Sequence, residues 1–101
     1  MAYLEIKTDR GFKRIELEGK TISVGRAPGN TVVVDDDRAS RKHCIIEPEN
    51  GQFRLRDLGS RNGTRVNGVR LLDEAEVSPG DRVSFGDARF RLAEASRSGA
   101  T

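Results

Sequence analysis

Four short polar stretches hold what chemistry this sequence has: Gly25-Arg26, Ser40-Arg41-Lys42-His43, Gly59-Ser60-Arg61-Asn62-Gly63-Thr64 and Asn67-Gly68. Each sets a cation, a hydroxyl or an amide beside residues that bend the chain. From Gly59 to Gly68 there are three glycines and two Asn-Gly pairs, more turn chemistry than one hairpin needs. Gly and Asn reach positive φ cheaply, so the stretch predicts a tight loop system whose main-chain groups face outward beside Arg61 and Arg65. Such loops suit the holding of an anion.

Catalysis has little material. His43 and Cys44 are neighbours on a predicted strand, so their side chains leave opposite faces and cannot pair as base and nucleophile. Asp35-Asp36-Asp37 lacks the alternating oxygens, glycine and distal Glu of a calcium loop, which leaves the run solvated or paired with nearby arginines. The sequence has no P-loop, dinucleotide fingerprint or nucleophile elbow, and its one histidine makes no cluster. The expectation is a non-enzyme with no metal and no cofactor.

The elements that position these stretches follow from composition and periodicity. A chain of 101 residues fits one domain. Hydrophobic content is 35% and Trp is absent, so the core is expected from small aliphatics with Phe12, Phe53, Phe85, Phe90 and Tyr3. Leu4 and Ile6, Ile15 and Leu17, Ile22 and Val24, Phe53 and Leu55, Val83 and Phe85, and Phe90 and Leu92 alternate with polar neighbours. Turn residues such as Pro28-Gly29-Asn30 and Pro79-Gly80-Asp81 separate them. This predicts an all-β chain, a two-sheet antiparallel β-sandwich of roughly ten to eleven short strands. Leu71 to Val77 is expected to form one short helical turn. Residues 1–95 are expected to be the domain, and 96–101, SRSGAT, a flexible tail or the start of a linker.

The N-terminal MAYLEIKTDRG lacks the apolar run of a signal peptide or membrane span, which predicts a cytoplasmic protein that binds no membrane. One cysteine agrees with a reducing compartment. Asn62-Gly63-Thr64 matches a glycosylation sequon, read as coincidence without a secretory signal. Eighteen basic and 16 acidic residues give a net charge of +2, an ordinary solvated surface rather than a nucleic-acid footprint. A single-stranded nucleic-acid barrel would need exposed stacking aromatics, whereas the aromatics here take inward positions. Functional charge must therefore be local.

Taken in order and spacing, Gly25-Arg26, Ser40-x-x-His43, Gly59-Ser60-x-Asn62-Gly63-Thr64 and Asn67-Gly68 resemble the forkhead-associated (FHA) domain. Gly80-Asp81-x-Val83 and Phe85-Gly86 extend the resemblance, which runs from about Tyr3 to Ala93. It implies a β-sandwich whose loops at one end bind a phosphothreonine peptide, in a kinase-linked signalling or assembly protein. The partner would be another protein or a phosphorylated segment of the same one, and the isolated domain is expected to be monomeric. Phosphothreonine brings about −1.5 to −2 charge and three acceptor oxygens, so its receptor needs fixed donors and a cation.

On that resemblance Arg26 offers a planar fork to two phosphate oxygens and Ser40 its hydroxyl. Arg41 is the second cation, with Lys42 turned the other way by an extended chain. Arg61 stands where the family often has Ser or Thr, and either contacts phosphate or faces water. Asn62 can donate to and accept from the main chain of an extended ligand. Arg38 occupies a position that sets specificity, which predicts a preference for Asp or Glu a few residues after the phosphothreonine. Gly25, Ser60, Gly63 and Thr64 support the loops, and His43 bonds across them. Asn67 braces its own loop or touches the peptide. The alternative is an FHA-like surface that binds partners, or itself, without phosphate.

Overall fold

The computed structural model describes residues 2–8, 11–17, 19–50, 52–86 and 88–94. The expected domain end at 95 and the tail 96–101 lie outside the described residues. Among these residues eleven strands follow in order: β1 (Ala2–Thr8), β2 (Gly11–Glu16), β3 (Ile22–Gly25), β4 (Val32–Val33), β5 (Cys44–Glu49), β6 (Gln52–Asp57), β7 (Arg65–Val66), β8 (Val69–Arg70), β9 (Glu74–Val77), β10 (Arg82–Phe85) and β11 (Ala88–Glu94). They form a six-stranded sheet, β2-β1-β11-β10-β7-β8, and a five-stranded sheet, β4-β3-β5-β6-β9.

The inward halves of the alternating patterns make the core between the sheets. Leu4, Ile6, Val83, Phe90 and Leu92 from one sheet meet Ile22, Val24, Ile46, Leu55 and Val77 from the other. Each strand thus turns one side inward and leaves the other for solvent. Asn67-Gly68, with φ of 51° and 85°, supplies the two-residue turn between β7 and β8. That turn type matches strand twist and fixes Arg65 opposite Arg70.

Three expectations need correction. Phe12 is 69% exposed rather than in the core. It shares the parity of Arg14 on the edge strand β2 and stands opposite Lys7 on the outer face. Tyr3 is only partly buried, with the Arg14 guanidinium 3.9 Å over its ring. The expected helical turn within Leu71 to Val77 is instead a bend leading into β9, because Ala75 and Val77 face inward while Glu74 and Glu76 pair outward with β6. The expected two-sheet sandwich is present, its pairing antiparallel but for β3 with β4, which run parallel.

No helix among the described residues is long and apolar enough to cross a membrane.

Candidate functional site

Arg26 directly follows β3, and the chain locks it to the segment before β5. Its amide donates to the Ser40 carbonyl at 2.9 Å, and its Nε donates to the Ala39 carbonyl at 3.1 Å. The two terminal guanidinium nitrogens have no partner among the described residues, so the fork remains for a ligand. Asn30 tightens the same junction, donating from Nδ2 to the carbonyls of Ala27 and Arg41 at 2.9 and 2.8 Å. Gly25 is required by that approach. A Cβ there would overlap the Arg41 carbonyl and lie 2.8 Å from Asn30 Nδ2.

His43 joins two loops from beneath. The Ser40 amide donates to Nδ1 at 3.1 Å, so Nε2 carries the proton and donates to the Gly63 carbonyl at 3.0 Å. The ring is fully buried and stacks on Phe85, centroids 3.8 Å apart. Burial lowers its pKa, against the opposing pull of the Gly63 carbonyl and the Asp57 charge. His43 is therefore a neutral brace at physiological pH. Cys44 beside it is also buried, and burial with the Asp57 charge pushes its thiol up to about 12.

The Gly59 to Thr64 loop is wound around Asp57, at the end of β6. One carboxylate oxygen accepts from the Ser60 and Thr64 hydroxyls at 2.6 and 2.8 Å; the other accepts from the Gly59 and Ser60 amides at 3.1 and 2.9 Å. The Ser60 hydroxyl in turn accepts from the Gly63 amide at 3.1 Å. Burial alone would raise the Asp57 pKa, but the Ser60 and Thr64 donors and the nearby His43 prevail and lower it. Sequence reasoning passed over Asp57. Its signal was an Asp two and three residues before amides it caps, the geometry of an Asx turn.

On this base the loops converge. The Arg61 amide donates to Ser40 Oγ at 3.0 Å, which leaves the hydroxyl proton of Ser40 uncommitted. Asn62 Nδ2 donates to the Arg38 carbonyl at 2.8 Å, keeping its Oδ1 and second N–H. Arg41, Lys42 and Arg61 are exposed. Arg38 lies beside Asp36, whose carboxylate accepts from the Arg38 amide at 2.8 Å and sits 3.6 Å from its Nε. That pairing realises one of the two readings of the acidic run.

Arg26, Ser40, Asn62 and the Arg61 backbone are thus brought together; Asn67 is not. Its side chain donates to Asp81 at 3.1 Å and accepts from the Arg82 amide at 2.9 Å, at the far end of β7 and β10. Arg70 was missed. Its guanidinium lies over Gly63, 2.9 Å from where a Cβ would stand. Register arithmetic about the Asn67-Gly68 turn puts it there.

The chain's relatives share this plan. A family model described as the FHA domain matches residues 22–86. The glycogen accumulation regulator GarA of Mycolicibacterium smegmatis is 40% identical over 79 residues, covering 78% of this chain and 48% of GarA. The chain spans about half the length of the curated relatives it matches first. Among solved structures, the FhaA FHA domain complexed with the intracellular domain of Rv3910 aligns at a TM-score of 0.82 and 25% identity, covering 91% of this chain and 99% of that one. Mycobacterium tuberculosis EmbR, in complex with a low-affinity phosphopeptide, aligns at 0.80 and 26%, covering 91% and 24%. With Gly25-Arg26, Ser40, His43 and Gly59 to Thr64 gathered at one end of a matching sandwich, and the family model spanning β3 to the end of β10, the chain belongs to the FHA domain family.

Proposed function

We propose that this chain is a non-catalytic module that recognises phosphothreonine in a partner polypeptide, within kinase-linked signalling or assembly in the cytoplasm. The observation that carries the reading is the pairing of Arg26 with Ser40. The Arg26 amide and Nε bond to the two adjacent carbonyls of Ser40 and Ala39, holding a free guanidinium fork beside a hydroxyl with an uncommitted proton. EmbR in complex with a phosphopeptide and FhaA in complex with an intracellular domain support the same class of partner.

In this reading Arg26 takes two phosphate oxygens, Ser40 donates its hydroxyl, and Arg41 and Arg61 add positive charge at the rim. Asn62 reads the ligand main chain with the groups that Arg38 leaves free. Arg38 selects an acidic residue downstream, in competition with its own Asp36. Gly25, His43, Ser60, Gly63 and Thr64 hold the loops in place; Asn67 braces the β7–β8 turn. Catalysis is disfavoured by the same geometry, since both His43 nitrogens are engaged and the Cys44 thiol stays protonated.

Four to six charge-assisted bonds of about 1.5–3 kcal/mol each give a gross gain that peptide ordering and phosphate desolvation largely offset. A Kd near micromolar, about −8 kcal/mol, is expected. Titrating a degenerate phosphothreonine library against wild type and Arg26→Ala tests this. Binding by wild type alone supports the mechanism. Equal retention by Arg26→Ala contradicts it and favours a phosphate-independent surface.

A further inference from the structure

The outer face of the six-stranded sheet carries a second basic surface that starts beside the phosphopeptide loops. One row of side chains crosses all six strands: Phe12, Lys7, Arg89, Ser84, Arg65 and Arg70, each opposite the next. In the next row Arg82 stands opposite Arg91. Lys7 with Arg89, Arg65 with Arg70, and Arg82 with Arg91 are therefore like charges placed directly across neighbouring strands, an arrangement that destabilises a sheet. Of these six cations only Arg91 has a carboxylate partner among the described residues, Glu5 at 3.2 Å. A groove of about 840 Å³ covers the part of the face between Phe12 and Arg82, lined by Lys7, Phe12, Arg82, Arg89 and Arg91 with Glu5 among them.

The other sheet handles charge differently. On its outer face Glu47 stands opposite Arg54, Arg54 opposite Glu76, and Arg56 opposite Glu74, so each arginine faces a carboxylate. Among the described residues, directly opposed cations are thus peculiar to one face, although Glu5 stands between Arg14 and Arg91 in its second row.

We propose that this face docks an acidic, Glu- or Asp-rich polypeptide segment that belongs to the same partner whose phosphothreonine sits at the loops. The anchoring end of the proposal rests on the phosphopeptide reading. Three observations choose the occupant. The row begins at Arg70, which lies over Gly63 of the phosphate loop, so a partner held there is delivered onto the face. From Arg70 to Lys7 is four strand spacings, about 20 Å, a length six or seven extended residues cover. The Glu5–Arg91 pair and the exposed Phe12 ring already accommodate carboxylate and apolar contact. A nucleic-acid strand needs a series of open rings, whereas Arg14 covers Tyr3 and leaves Phe12 alone.

The test uses the 101-residue chain and four probes at low salt: a phosphothreonine peptide, the same peptide with a ten-residue Glu tail on a flexible linker at either end, a 20-residue polyglutamate, and a 20-nucleotide oligo-dT. One tailed peptide is expected to bind at least tenfold tighter than the untailed one. Arg82→Glu with Arg89→Glu should abolish that gain without changing the untailed affinity, and Arg82→Gln with Arg89→Gln should reduce it while preserving the thermal melt. Polyglutamate should bind wild type saturably and the reversed variant not at all. No gain from either tail, a gain that survives charge reversal, or oligo-dT binding tighter than polyglutamate would overturn the proposal. Failure of the untailed peptide to bind would instead break the phosphopeptide reading, and the polyglutamate titration would still report on the face.

Discussion

At the loop end, Asp57, His43, Ser60 and Thr64 satisfy one another, whereas Arg41, Lys42, Arg61 and Arg70 extend beside them with no carboxylate partner among the described residues. In the inner layer His43 and Thr64 are buried and Asp57 and Ser60 half-buried; among the described residues no buried side-chain polar atom lacks a partner. The rim keeps its cations in solvent. A ligand with two negative charges thus meets loops that are already ordered and charge that is not yet neutralised, which reduces the ordering cost of binding. The same Gly59 to Thr64 loop thus serves both layers: its hydroxyls face inward and its one arginine, Arg61, faces out.

The sharpest way to break this division is to empty the inner layer. His43→Ala removes a fully buried ring stacked on Phe85 and both of its loop bonds. Urea denaturation should show a loss of about 3 kcal/mol, with phosphopeptide binding falling in parallel. Arg26→Ala sits at the junction and should separate the two properties. We expect roughly a hundredfold loss of phosphopeptide affinity by calorimetry, and about 1 kcal/mol of stability from the lost bond to Ala39. Asp57→Asn keeps the shape but weakens four acceptor contacts, and should cost about 2 kcal/mol in the same denaturation series.

Acid should act on the inner layer. The folded His43 has a lowered pKa, so below about pH 6.5 the unfolded chain takes up a proton that the folded chain refuses. Stability is full above that pH and declines as pH falls towards the folded value. Asp57, also lowered, adds a second decline below about pH 4, where the unfolded carboxylate protonates first. Ligand-free urea midpoints at pH 7.5, 5.5 and 4 should fall in that order, and His43→Gln should flatten the first step. A midpoint unchanged between pH 7.5 and 5.5 would mean that His43 does not refuse the proton. The smallest effect belongs to the rim: Arg61→Ala should leave the melt within about 0.5 kcal/mol of wild type and weaken phosphopeptide binding several-fold.

Much of this end of the molecule is written locally in the chain. Paired apolar positions such as Leu4 with Ile6 and Val83 with Phe85 mark inward faces, and Asn67-Gly68 marks a tight turn, because strand parity and positive φ are local demands. Phe12 was misplaced by weighing its hydrophobicity above its parity with Arg14. Glu74 to Val77 was misjudged although it alternates, since its outward glutamates find their arginines only on β6. The fit of Gly25 against Arg41 is long-range, and neither it nor the parallel pairing of β3 with β4 left a trace in spacing. Asp57 and Arg70 were legible in principle, one by its Asx turn and the other by hairpin register.

On the proposed reading, phosphate is held where Arg26 meets Ser40. Two-dimensional NMR of the 15N-labelled chain, recorded while a phosphothreonine peptide is added, reads that site directly. Large shifts are expected at the Arg26 side-chain Nε–H and at the amides of Ser40, Arg41, Arg61 and Asn62, none of which appear with the unphosphorylated peptide. Shifts confined to the opposite end, around Lys20, Gln52 and Gly80, or identical shifts with both peptides, would contradict it.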